Sequence, residues 1–118
     1  MKGVIVLLAH EFCTASQEEL TSDISYAFLK GRKYIEIPDD IILCYMNSVE
    51  ASFKAQWDYV GNAHFGLNYH GITIILNADL DEFATSLKIF SSNNNVQLLR
   101  QLCDFAKIHN QAIIHFGI

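Results

Sequence analysis

Seven residues at the C-terminus, Ala112-Ile113-Ile114-His115-Phe116-Gly117-Ile118, read as a strand with no polar tail after it. A run this apolar and this rich in β-branched residues needs cover on both faces. Gly3-Val4-Ile5-Val6-Leu7-Leu8-Ala9 has the same character close to the N-terminus. The two runs predict that both chain ends are woven into one sheet. The 118 residues then form one complete α/β domain spanning 1–118.

Between these runs the pattern alternates. Ser16 with Glu19 three residues on makes a capping box, and Leu20, Ile24, Ala27 and Phe28 fall on one helical stripe, so a helix is predicted up to Gly31. Lys33-Tyr34-Ile35-Glu36-Ile37 alternates as a second strand. Pro38-Asp39-Asp40 suits a helix start. Met46, Val49, Phe53 and Trp57 keep helical spacing, so one long helix is predicted from Ile41 to Val60, with a break near Asn47-Ser48 as an option. Gly71-Ile72-Thr73-Ile74-Ile75-Leu76 is a third strand. A helix to about Phe90 follows, with Leu80, Phe83 and Leu87 inward, and then a helix from Val96 to Ile108. The order β-α-β-α-β-α-α-β predicts an α/β or α+β layered domain, with about four helices on a mixed sheet of about four strands.

Charge and cysteine usage limit the function. Eight basic residues stand against 13 acidic ones, a net charge of −5. That balance argues against nucleic-acid binding, which depends on neutralising phosphates. Cys13, Cys44 and Cys103 are odd in number and widely spaced, so free thiols in a reducing cytoplasm are predicted. No apolar run approaches a membrane span, and no leader cleavage pattern follows the N-terminal run. A cytoplasmic protein with no membrane partner is the expectation.

No catalytic motif stands out. His10-x-x-Cys13 has a spacing used by some metal sites, but the other histidines, His64, His70, His109 and His115, are scattered, so no metal or cofactor is expected. A lone strand histidine, such as His115, reads as a hydrogen-bonded structural residue. Cys13, placed after a strand and before a helix, could be a thiolate served by His10 or His64. Glu11, Glu18 and Glu19 lie nearby and would oppose that ionisation. Cys44 and Cys103 read as core. The acids at helix starts are more distinctive: Glu18, Glu19 and Asp23; Asp39 and Asp40; Asp79, Asp81 and Glu82. If the helices follow parallel strands, these eight share one edge and form an acidic face for a basic partner. Trp57 and Tyr69 are candidate aromatic anchors beside it.

Trp57-Asp58-Tyr59, the run from His64 through Tyr69-His70-Gly71-Ile72-Thr73 to Ile75, and the terminal Ile114-His115-Phe116-Gly117 carry a resemblance. They are similar to small bacterial immunity proteins encoded beside polymorphic toxins, including those of contact-dependent growth inhibition systems. The resemblance implies a cytoplasmic inhibitor without an enzymatic site. Such a protein binds one cognate toxin domain and blocks its active or docking surface. Many such toxins are basic nucleases, which suits an acidic inhibitor. The competing reading is a small cytosolic enzyme or ligand-binding α/β domain that uses Cys13 and a histidine.

Overall fold

The computed structural model describes residues 8–22, 24–25, 28 and 31–118. Six strands form one sheet: β1 (Ala9–Ala15), β2 (Ile35–Pro38), β3 (Lys54–Trp57), β4 (Ala63–Phe65), β5 (Ile72–Ile75) and β6 (Ala112–Phe116). Their order is β2-β1-β6-β5-β3-β4. Every pairing between them is antiparallel. The helices are α1 (Asp39–Met46), α2 (Leu80–Ser86) and α3 (Asn94–Ile108). The result is one mixed α/β domain of the α+β kind, with a fully antiparallel sheet where a mixed one was expected.

The last strand holds the centre. β6 lies between β1 and β5, and all five of its residues are buried. Alternate side chains of a strand point to opposite faces. Phe12, Ile37, Ala55, Ile75 and Ile113 face the helices and meet Ile42, Tyr45, Phe83, Leu99 and Ala106 there. Cys13, Ala15, Ile74, Ile114 and Phe116 face the other way, under Leu20, Ile24 and Phe28. Two-sided cover explains why β6 is a continuous apolar run.

Several sequence expectations need correction. Residues 1–7 of the predicted N-terminal strand lie outside the described residues. The observed β1 begins only at Ala9 and takes in His10 to Ala15, where a loop and helix start were expected. The capping box does form, since Ser16 N–H donates to Glu19 Oε1 at 2.9 Å and Glu19 N–H donates to Ser16 Oγ at 3.3 Å. Among the described residues it opens only a 3-10 turn, Glu19–Thr21. Leu20, Ile24 and Phe28 of the predicted stripe still bury apolar surface on the sheet, while Ala27 lies outside the described residues.

The long second helix stops at Met46, so the break near Asn47-Ser48 does occur, and no α-helix resumes between it and Val60. Ser48 is extended, and its hydroxyl caps back onto the Tyr45 carbonyl at 2.6 Å. Such local side-chain bonds compete with the helical ladder. After a single 3-10 turn, Val49–Ala51, the chain becomes strand β3 and the hairpin to β4. Val49, which keeps helical spacing with Met46 and Phe53, is 87% exposed. Cys44, expected in the core, is exposed, while Cys103 is buried.

The antiparallel sheet also separates the acids. Ala15, Ile75 and Ala112 mark one end of the sheet, and Ala9, Ile72 and Phe116 mark the other. Glu18 and Glu19 follow β1, and Asp79, Asp81 and Glu82 follow β5, at the first end. Asp39 and Asp40 follow β2 at the second end. One shared acidic edge required parallel strands, and none of the described pairs is parallel.

Candidate functional site

The polar centre of the domain is built from three inward-facing strand positions. Thr73 of β5 sits directly opposite His115 of β6, and His115 sits opposite Phe12 of β1. Directly opposed residues of an antiparallel pair bring their side chains together on one face. His10 lies two residues from Phe12 and shares its face, which brings its ring onto that of His115. All three polar residues are 0% exposed.

They form a continuous hydrogen-bonded chain. Thr73 Oγ1 is 2.9 Å from His115 Nδ1. His115 Nε2 is 2.8 Å from His10 Nδ1. His10 Nε2 is 2.9 Å from Asp39 Oδ1, at the start of α1. Tyr69, in the loop before β5, donates its hydroxyl to the same oxygen at 2.7 Å. Its neighbour Asn68 donates its backbone N–H to Thr73 Oγ1 at 2.8 Å. The chain therefore closes into a ring that ties this loop to β5, β6, β1 and α1.

With both imidazoles neutral, the ring allows one proton order. A carboxylate only accepts, so His10 carries its proton on Nε2. Its Nδ1 then accepts, so His115 donates from Nε2. His115 Nδ1 accepts in turn from the Thr73 hydroxyl. Every donor is matched with both imidazoles neutral.

The electrostatics agree with that arrangement. Burial pushes His115 well below the usual histidine range, and the neighbouring His10 adds to this. The hydrogen bonds from His10 and then Tyr69 hold the Asp39 carboxyl below its ordinary value. The hydrogen bond to Asp39 raises the Tyr69 phenol.

Stability should therefore depend on pH. His115 stays neutral when folded but takes up a proton when unfolded below about pH 6.5. The unfolded chain binds more protons there, so stability falls as pH falls from about 6.5 towards the folded value. The limiting slope for one group is about 1.4 kcal/mol per pH unit. Chemical denaturation at a series of pH values checks this, and a flat profile through that window would contradict a buried neutral His115.

Asp39 connects the ring to a groove. Asp39, Asp40 and Glu36, with Leu8, Pro38 and Asn95, line a depression of about 610 Å3. The Asp39 side chain is 19% exposed. Thr73 is fully buried, so a substrate cannot reach its hydroxyl. Chemistry or binding at this centre has to begin at its partly exposed members, Asp39 and Tyr69, of which Asp39 lines the groove.

Cys13 takes no part. It occupies the opposite face of β1, fully buried among Ile74, Ile114 and Phe116. Burial pushes its thiol up to about 11, so it is neither a ready nucleophile nor a partner of His10. The His10-x-x-Cys13 pair is split across the sheet for the same reason. Among the described residues no group of three or more His, Cys, Asp or Glu side chains is placed to hold a metal ion.

The candidate partner-binding residues disperse. Glu18 is exposed, and Glu19 pairs with Arg32. Asp23 lies outside the described residues. Asp40 and Glu82 are exposed, Asp79 is half-buried, and Asp81 pairs with Lys107 of α3. Trp57 is half-buried, donates its indole N–H to the Gly66 carbonyl at 2.9 Å and stacks on His64 at 4.1 Å. Asp39 and Tyr69 alone of these ten belong to the hydrogen-bonded ring.

His10, Thr73 and His115 were not singled out as a group in the sequence. The available signal was parity: His115 alternates with Ile114 and Phe116 inside a buried run, as Thr73 does with Ile72 and Ile74. Buried polar side chains on one face must satisfy one another. Joining them required the strand order.

No helix among the described residues is long and apolar enough to cross a membrane. Compared with protein-family models, curated proteins and solved structures, the chain matches none.

Proposed function

We propose that this protein is a ligand-binding α+β domain whose polar centre is the ring through Asp39, His10, His115, Thr73 and Tyr69. The observation that carries the reading is a fully buried pair of histidines wired to a carboxylate that lines a groove. Sites of this kind combine a shaped depression with a few convergent polar groups. His10 and Tyr69 both bind Oδ1, and among the described residues Oδ2 has no hydrogen-bond partner. The ligand class is accordingly a small molecule with an amine, amide or hydroxyl donor. A ligand-observed NMR screen of small amines, amides and alcohols tests this against wild type and Asp39→Asn. Binding to wild type that is lost in the variant is the expected result. No binding at millimolar concentration, or binding indifferent to the substitution, would remove the reading.

A second reading keeps the resemblance to immunity proteins. Met46, Trp57 and Phe65 line a shallow depression beside β4, an edge strand, and Phe65 is 69% exposed. An aromatic on an edge strand of the described sheet suits a protein partner, which can add main-chain hydrogen bonds there. On this reading the acids divide into two groups at opposite ends of the sheet, and a toxin domain engages one of them. Charge reversal of Glu18 with Glu82, and separately of Asp40, would show which end weakens toxin binding. Full protection by both variants and by Phe65→Ala would exclude this surface.

A further inference from the structure

We propose that the chain of side chains from Asp39 to Thr73 is a one-proton switch. It binds a single proton as a unit, and that proton reverses the hydrogen bonds of His115 and Thr73 while turning the Asp39 contact into an ion pair. The geometry forces the coupling. If His10 carries protons on both nitrogens, its Nδ1–H points at His115 Nε2, 2.8 Å away. Two N–H donors cannot face each other at that distance. His115 must then hold its one proton on Nδ1, where it donates to Thr73 Oγ1 at 2.9 Å. Thr73 Oγ1 already accepts from the Asn68 N–H, so both of its lone pairs are used and its own hydrogen must turn away.

The proton balance is one proton taken from solvent and none released. His115 is a neutral imidazole before and after, changing only which nitrogen is protonated. A second proton is excluded, because His115 would again face His10 donor to donor. Several charged and titratable groups surround the pair. Asp39 reaches it from α1 and Tyr69 from the loop before β5. His70 of that loop is near enough to act on Asp39. Asp40 and Glu36 line the same groove as Asp39. His115 meets His10, Thr73 and the Phe12 ring, and no carboxylate among the described residues touches it. Loaded, the switch compensates the Asp39 carboxylate; empty, it leaves that charge to the groove. The consequence for a ligand rests on the proposed binding function, but the switch itself does not.

The test needs no ligand. Long-range 1H–15N spectra of the imidazoles report which ring nitrogen is protonated, and they are recorded from about pH 8 down to about pH 5. The expected result is Nε2–H on both rings at the upper end. As pH falls, His10 should become doubly protonated while His115 switches to Nδ1–H, with one shared midpoint. Thr73→Val removes the hydrogen-bond partner of His115 Nδ1 from both states, so it should move the shared midpoint, and Thr73→Ser should bring it back. His115 keeping Nε2–H while His10 is loaded, or the two rings titrating at separate midpoints, would overturn the proposal. The wild-type spectra decide the matter even if the valine variant fails to fold.

Discussion

Deleting residues 112–118 should leave a chain that no longer melts cooperatively. β6 is the only link between the β2-β1 pair and the β5-β3-β4 group among the described strands, so its removal cuts the sheet in two. Ile113, Ile114 and Phe116 are each 0% exposed. Burying such side chains contributes about 1.5–3 kcal/mol apiece, against a total stability of about 5–15 kcal/mol for a typical domain. The two freed strand edges would also expose unpaired backbone and promote aggregation. Circular dichroism on heating checks this. A soluble truncated chain with a sharp transition would show that the last strand is dispensable.

Gly117→Ala should be the most damaging conservative substitution next to the site. A Cβ at Gly117 would lie 2.1 Å from the Tyr69 carbonyl oxygen and 2.9 Å from that of Asn68. These are backbone atoms and cannot swing aside. The Gly117 N–H donates to Gly71 at 2.8 Å and the Ile118 N–H to Tyr69 at 3.0 Å, so the methyl group would push this loop away from its anchors. Overpacking of this kind costs about 1–3 kcal/mol, and more where the backbone must move. The displaced loop carries Asn68 and Tyr69, hence two of the ring's hydrogen bonds. Urea unfolding should show a loss of about 3 kcal/mol. A loss below about 0.5 kcal/mol would mean that the close approach is not maintained in solution.

The sequence showed the fold where its periodicity was unambiguous. Three examples are the terminal strand, the Pro38-Asp39-Asp40 helix start and the α2–α3 segment with Leu80, Phe83, Leu87 and Leu99. It misled where two periods overlap. Met46, Val49, Phe53 and Trp57 fit a helix, yet Phe53, Ala55 and Trp57 fit a strand equally well, and tertiary pairing with β4 and β5 decided for the strand. His10, Glu11 and Thr14 made β1 look like a loop because a polar strand interior reads as exposed. The partners of His10 come from positions 105 and 29 residues away, through pairings no local pattern encodes. The acidic face failed on one assumption, parallel strands, that the order of elements alone cannot test. The fold class was thus legible, whereas the site was not, because it exists only once β1, β5 and β6 are side by side.

The central claim is that Asp39 and Thr73, at the two ends of the histidine pair, belong to one connected unit. A double-mutant cycle tests this most directly, with Asp39→Asn, Thr73→Val and the double variant unfolded by urea at about pH 7.5. The two side chains share no direct hydrogen bond and are joined through His10 and His115. Independent distant sites add within about 0.3–0.5 kcal/mol. The account predicts a coupling of about 1 kcal/mol or more, carried by the proton order that both ends impose. Simple additivity would show two histidines that happen to touch, and would contradict the ring as a functional unit.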